Sequence, residues 1–497
     1  MSAYQELHHR FERHYLLRSS ADMLEWDAQA LMPEGSGDLR AAQLGVLRVL
    51  AHEAIATPEV ADLLAEAEAS PPDGEWERAN VAAMRRNWVH AASVPSDLVL
   101  ARTKAVSVCD LAWRSARKND DFAGLLPKLR EVLNLTRQVA EAKAPALGVG
   151  VYDALIDEYE PGVREAFLVP LFARLAAELP PLVDAILEKQ SQSPEPPSLG
   201  GPFPTAQQAA LGRFLAERIG FDFTRGRMDV STHPFCGGAA EDVRMTTRYD
   251  ETDFLSSVMG TVHESGHALY ESGLPRAWVR QPVGQAIGMA MHESQSLIVE
   301  MQAARSREFL GYLAGVAREH FGADPAVLSA ESLTGHTLRV ERGLIRVDAD
   351  EATYPLHVIV RFRLEQALLS GDLDLADLPG AFREGMQNLV GASSPTDRDG
   401  CLQDVHWPSG AFGYFPSYTL GAMAAAQLFA AATAQAPQIR TELAAGRFDS
   451  LRAFLRSNVH ELGSRFDTNT VLERATGSKL QAEPLLAHLR ARYLGAD

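Results

Sequence analysis

Cysteine is scarce in this sequence. Cys109, Cys236 and Cys401 are spread over 497 positions, with no Cys-x-x-Cys pair. Thiols so few, odd in number and widely spaced exclude a disulfide framework and point to a reducing compartment. Each is read as an ordinary side chain rather than a nucleophile. Basic residues are also in deficit: 47 Lys and Arg stand against 65 Asp and Glu, a formal charge of −18. Such a chain repels phosphate backbones, which argues against nucleic-acid binding as its main task. Charged residues interrupt every stretch near the ~20 apolar residues that a membrane span needs. The first twenty residues carry Glu6, His8, His9, Arg10, Glu12, Arg13 and Arg18. No apolar core follows a basic start there, so no secretory signal is read. The expectation is a cytoplasmic protein with no membrane association.

Strict apolar–polar alternation is rare as well. Arg244–Tyr249 is the best strand candidate, with weaker ones at Gly226–Val230 and Gly410–Phe415. Helical period dominates instead. Leu44–Ala56, Phe122–Ala144, Arg164–Lys189, Gln207–Arg218 and Tyr354–Leu369 repeat apolar residues at i, i+3, i+4 and i+7. The pattern predicts a mainly α protein with one small sheet in the middle third. The Pro/Gly/Ser-rich run 191–204 is the strongest break. It reads equally as a linker between two parts and as a long surface loop within one domain.

What the sequence does have is His263-Glu264-Ser265-Gly266-His267. Histidines at i and i+4 lie one turn apart on one helix face, so both imidazoles can meet one cation. Glu264 points about 100° round the helix. It can serve a water held at the site without ligating the cation, the division of labour in His-Glu-x-x-His metallopeptidases. Phe254, Leu255, Val258, Met259, Val262, Leu269 and Tyr270 continue an apolar stripe through the motif. Asp250 or Thr252 is expected to cap its start, and Gly273 with Pro275 to end it.

A catalytic metal site takes three protein ligands and keeps one position open. Glu271 is too far along the helix, about 12 Å of rise from His263. The apolar segment 284–300 offers Glu293, Glu300 and His292. Glu293 and Glu300 are seven apart and share a face, so spacing does not choose between them.

Further stretches carry a resemblance. His233-Pro234-Phe235, Asp242-x-Arg244-x-Thr246, His292-Glu293-Ser294-Gln295, Ile345-Arg346-x-x-Ala349-Asp350-Glu351 and Gly400-x-x-Gln403-Asp404-x-His406-Trp407 resemble, in order, the boxes of the thermostable-type metallocarboxypeptidases, peptidase family M32. Trp26-Asp27, Met32-Pro33, Tyr152-Asp153-Ala154-Leu155 and Tyr159-Glu160-Pro161-Gly162 are similar to family segments too. The resemblance implies Glu293 as third ligand beside His263 and His267. It implies one large helical domain over 1–497, with a deep groove and a small sheet beside it, similar to the neurolysin and angiotensin-converting enzyme architecture. It implies a homodimer that removes C-terminal residues from peptides with broad specificity. Zn²⁺ suits the donor set, and Co²⁺ or Mn²⁺ fits it as well.

An exopeptidase must grip the substrate's free carboxylate, and an arginine fork does so bidentately. Arg346 is the candidate for that grip. The competing expectation is that Arg346 pairs structurally with Asp348 or Asp350. Arg244 is the weaker alternative. His406, Tyr414 and Tyr418 are candidate donors to an oxyanion. His233 and His357 are expected to support or pack rather than ligate, and Asp350 or Glu351 to orient a ligand histidine.

Overall fold

The computed structural model describes residues 2–495. Twenty α-helices, a few short 3₁₀ and π-helical segments and one three-stranded sheet make up the regular structure of the described residues. The helices expected from periodicity form as Gly37–Ile55, Phe122–Leu147, Glu165–Ser191, Thr205–Ile219 and Tyr354–Ser370; the first begins seven residues earlier than expected, and the others shift by three residues or fewer. Local chemistry sets their ends. The Asp121 carboxylate accepts the Gly124 N–H at 2.8 Å where the second of these helices begins, and Gly148 ends it at φ 67°.

The first four long helices, Ala3–Ala30, Gly37–Ile55, Pro58–Ala69 and Glu75–Ala92, enclose a small apolar cluster of their own, including Leu7, Phe11, Ile55, Leu64 and Met84. Buried contacts join them to the rest of the protein, among them Trp26, Asn80 and the Arg86 and His90 pairs with Asp157. Trp26 lies under the guanidiniums of Arg227 and Arg244, at 5.4 and 4.9 Å. Asn80 donates to Gln281 Oε1 at 3.1 Å and accepts the Val283 N–H. The main cluster draws on residues from Ala105 to Leu489, so it takes side chains from both sides of 191–204. That run has little regular structure, yet Phe203 within it is buried against Phe254 and Phe321. The Phe203 N–H donates to the Glu251 carbonyl at 2.8 Å.

Among the described residues one helix, Glu165–Ser191, is by length and composition apolar enough to cross a membrane, with a mean hydropathy of 1.5 in its richest window. Here it is a core helix. Leu168, Phe172, Leu175, Leu179, Val183 and Ile186 are buried in the main cluster, while Arg174, Glu178 and Asp184 on other faces make ion pairs.

The sheet runs β1 (Gly226–Val230), β3 (Asp242–Thr247), β2 (Cys236–Ala239) in spatial order. β1 pairs parallel with β3, and β2 pairs antiparallel with it, Cys236 opposite Met245. Val243 and Met245 of the central strand pack on Ala216 and Ala268, which seats the sheet against the helix that carries the His-Glu-x-x-His motif. Two of the expected strands therefore form, one shifted by two residues, and the third does not. Gly410–Phe415 is a chain of turns. Gly410 at φ 73° and Gly413 at φ 89° adopt left-handed backbone, which turns the chain there instead of extending it.

Candidate metal centre

The motif sits on helix Phe254–Gly273. Its start is capped by Asp253, which accepts the N–H groups of Leu255 and Ser256. Asp250 and Thr252, the expected caps, instead bond to each other one turn earlier. The second carboxylate-bearing segment begins as helix Met289–Leu297 and widens into a π-helix over Ile298–Ala304. The two segments approach closely at Gly266. A Cβ there would stand 2.3 Å from the Gln295 carbonyl oxygen and 2.6 Å from the Ser296 Cα. Glycine inside the motif thus permits the contact that brings the histidines to Glu293.

His263, His267 and Glu293 each offer one ligand atom, and these atoms lie within 4.8 Å of one another. Glu293 Oε2 is 3.4 Å from His267 Nε2 and 4.0 Å from His263 Nε2. Both imidazoles are held by their other nitrogen. His267 Nδ1–H donates to the His292 carbonyl at 3.1 Å. His263 Nδ1–H donates to Glu300 Oε2 at 2.9 Å, and Glu300 Oε1 accepts Arg305 Nη2 at 2.6 Å. Each Nε2 is left to face Glu293, the tautomer that a metal ligand needs. Burial lowers His267 to about 4, with His292 adding to it, so its imidazole is neutral. At His263 burial acts in the same direction but is outweighed. The Glu300 hydrogen bond and the nearby Glu293 and Glu264 carboxylates push it up to about 10. That concentration of negative charge is what a divalent cation neutralises. The donor set, two imidazole nitrogens and one carboxylate oxygen, fits such an ion.

Glu264 is buried, and its Oε2 has no hydrogen-bond partner among the described residues. Burial raises its carboxyl to about 7, with the Glu293 charge contributing. Glu300 thus stands on the far nitrogen of His263 rather than in the trio. His292 is turned away, its Nε2 on Glu271 Oε1 at 2.9 Å and its ring stacked 4.6 Å from His267. The acid that orients His263 is Glu300, not Asp350 or Glu351. Asp350 accepts from Glu341, Ala352 and Thr353, and Glu351 from His488, Arg492 and Tyr493.

A second charged group is buried nearby. Arg346 donates from Nε and Nη2 to Asp404 Oδ1, at 3.0 and 2.7 Å. Arg361 Nε donates to Asp404 Oδ2 at 2.6 Å. The partner of Arg346 is therefore Asp404, neither Asp348 nor Asp350. Two guanidiniums share one carboxylate, which leaves one positive charge over. Burial raises Asp404, but Arg346 and Arg361 outweigh it and hold the carboxyl far below the usual range. Arg244 is engaged in the sheet, with Nε and Nη2 on Asp242.

The Arg346 guanidinium lies 4.6 Å from the Tyr418 ring centroid. Tyr418 joins His406 through a 3.0 Å contact between its hydroxyl and Nε2. Tyr414 packs 5.1 Å from Tyr418 and 5.4 Å from His406. Burial raises Tyr354, Tyr414 and Tyr418, and the Glu293 charge adds to each shift. His233 is exposed in the turn between β1 and β2, and partial burial lowers it, with the Arg117 and Arg248 charges adding. His357 is fully buried beside Arg361.

Arg361 and Asp404 were not singled out as site residues from sequence. A signal existed for Arg361: it is the lone charge in Val358-Ile-Val-Arg-Phe362, and a cation amid such residues needs a buried partner.

A helical body, a short sheet against the motif helix and a His, His, Glu trio beside a buried free carboxylate define the metal-dependent peptidase class. Residues 6–493 match the model of the carboxypeptidase Taq (M32) metallopeptidase family. Thermostable carboxypeptidase 1 of Thermus thermophilus is 38% identical over 99% of this chain and 98% of its own. Metallocarboxypeptidase 1 of Trypanosoma cruzi superposes with a TM-score of 0.94 at 38% identity, covering 99% of each chain. An M32 carboxypeptidase of Deinococcus radiodurans gives 0.93 at 35%, over 99% of this chain and 98% of that one. The chain belongs to the carboxypeptidase Taq (M32) metallopeptidase family and is a peptide hydrolase of the metallocarboxypeptidase class.

Proposed function

We propose that this protein releases single residues from the free C-termini of peptides, with broad side-chain specificity. His263, His267 and Glu293 are the ligands of one divalent cation, Zn²⁺ before Co²⁺ or Mn²⁺ on the chemistry of the donors. A cation held there lowers the pKa of water and polarises the scissile carbonyl. Glu264 is the general base: its unpartnered Oε2 takes the proton of the attacking water and passes it to the leaving amine. Glu300 and the His292 carbonyl keep the two imidazoles in the required tautomer. Arg346, braced by Asp404, presents the charge left over in the Arg346–Asp404–Arg361 group to the substrate carboxylate. Tyr414, Tyr418 and His406 line the space between and supply donors for the developing oxyanion. His233 serves at most at the groove's margin.

The observation that carries this reading is the pairing of two buried centres, one anionic and fit for a cation, the other cationic and fit for a carboxylate. Peptides are the partners; the net charge of −18 disfavours nucleic acid. One domain spans the chain, the working unit is a homodimer, and the compartment is cytoplasmic.

The test is a time course of amino acids released from a free-ended peptide and from its C-terminal amide, with and without chelator and added metals. Sequential release from the free-ended peptide, abolished by chelator, is expected. Equal cleavage of the amide would overturn the exopeptidase assignment.

A further inference from the structure

The segment that carries Glu300 is a π-helix, a rare geometry enriched at functional sites. Its hydrogen bonds are supplemented from outside. Arg492 donates from Nη1 to the Met301 carbonyl at 2.5 Å and from Nη2 to the Gln302 carbonyl at 3.1 Å. The same Nη1 reaches Glu351 Oε1 at 2.8 Å. Glu351 is buried, and it also accepts from the Tyr493 hydroxyl at 2.8 Å and from His488 Nε2 at 2.9 Å. Arg305, which follows the π-helix, holds Glu300 and lies near enough to Glu351 for its charge to favour the ionised carboxylate. Helix Glu483–Leu489 and the short π-helix Arg490–Leu494 that continues it are thereby tied to the segment that orients His263.

We propose that Arg492 is a positioning residue for the metal centre. Its fork clamps the π-helix against Glu351, and the clamped π-helix fixes the Glu300 carboxylate on His263 Nδ1. The proposal rests on the assignment of His263, His267 and Glu293 as ligands. A guanidinium is needed because one planar fork must serve two carbonyls and a carboxylate, which a point-charge ammonium does not do. Without it the wide turn relaxes toward ordinary helix or frays. The Glu300 oxygen then leaves its 2.9 Å position on the imidazole, and His263 is no longer pre-aimed.

The experiment measures equilibrium Zn²⁺ affinity of the full chain by chelator competition, beside the unfolding midpoint of the metal-free protein. Loss of an outer partner of a ligand histidine typically costs about 10- to 100-fold in metal affinity. Glu300→Gln is expected in that range, and Arg492→Ala, one contact further out, is expected to lose at least about threefold. Arg492→Lys should not rescue it, and it supplies the measurement if the alanine variant does not fold. Combining Arg492→Ala with Glu300→Gln should add less than the two losses together, because both act through one carboxylate. Glu483→Ala removes an exposed contact of the same helix to Arg174 and should leave affinity unchanged.

Arg492 variants that bind Zn²⁺ within about twofold of the parent, or losses fully additive with Glu300→Gln, would overturn the proposal. A purely structural role lowers the metal-free midpoint and leaves affinity intact, and so also refutes it. If the unaltered chain binds no Zn²⁺, Co²⁺ or Mn²⁺, the ligand assignment itself has failed and this inference falls with it.

Discussion

Gly266→Ala tests the link between helix packing and metal binding. Helix propensity alone favours alanine over glycine by about 1 kcal/mol in a helix interior. The structure opposes that gain. The added methyl would meet two backbone atoms of the facing helix at 2.3 and 2.6 Å, and backbone has no rotamer by which to move aside. The helices must part by about 1 Å to restore the 3.4 Å at which ordinary contact begins. Overpacking of this kind costs about 1–3 kcal/mol, so the net change is a loss of up to about 2 kcal/mol. The same displacement moves His267 from Glu293, which face each other at 3.4 Å across this contact. Zn²⁺ affinity should therefore fall along with the unfolding midpoint. Gly311→Ala is the control: this helical glycine has nothing within 4 Å of the new methyl and should gain stability without touching affinity. The measurements are urea unfolding of the metal-free protein and chelator competition. A Gly266→Ala variant as stabilised as the control, with parental Zn²⁺ affinity, would refute the packing argument.

Glu264→Gln is expected to lower turnover by about 10²–10⁴-fold, the contribution of a positioned base. Metal content should be retained, and metal loss on elemental analysis would contradict the role. Arg346→Ala should raise KM for free-ended peptides far more than for amides. Equal effects on both would make the residue structural. Acid stability should depend on Glu351, which Arg492 and His488 hold well below the usual carboxyl range against the opposing effect of burial. A carboxyl depressed on folding contributes stability that is present above its unfolded pKa of about 4.3 and is lost as pH falls through and below it. Urea midpoints of Glu351→Gln should therefore decline less steeply than the parent's from about pH 4.5 downward; identical slopes would count against the assignment.

The helices were legible because their signal is local. Apolar residues one turn apart must share a face, and Phe122–Leu147 or Tyr354–Ser370 follow from that geometry. β2 was not legible: Cys236-Gly-Gly-Ala239 has almost no strand propensity and forms only because β3 offers it an edge. Gly410–Phe415 alternates like a strand, yet its glycines serve turns, and the Gly413 N–H goes to Glu365. Within the site, the His263 and His267 pair was readable from spacing on one helix. The choice between Glu293 and Glu300 was not, because both share a face and a π-turn intervenes. Arg346 and Asp404 are 58 positions apart, and no periodicity relates them.

The charge left over at Arg346, Asp404 and Arg361 has a consequence for salt. The protein as a whole carries −18, a field that exposed counter-ions screen over about 8 Å at physiological ionic strength. The leftover charge is buried, where salt screens far less. Approach and grip therefore respond differently to ionic strength. With Arg346 in its proposed role, an acidic peptide meets a like-charged body and is expected to be admitted faster as salt rises, whereas the hold on its terminal carboxylate should be nearly indifferent to salt.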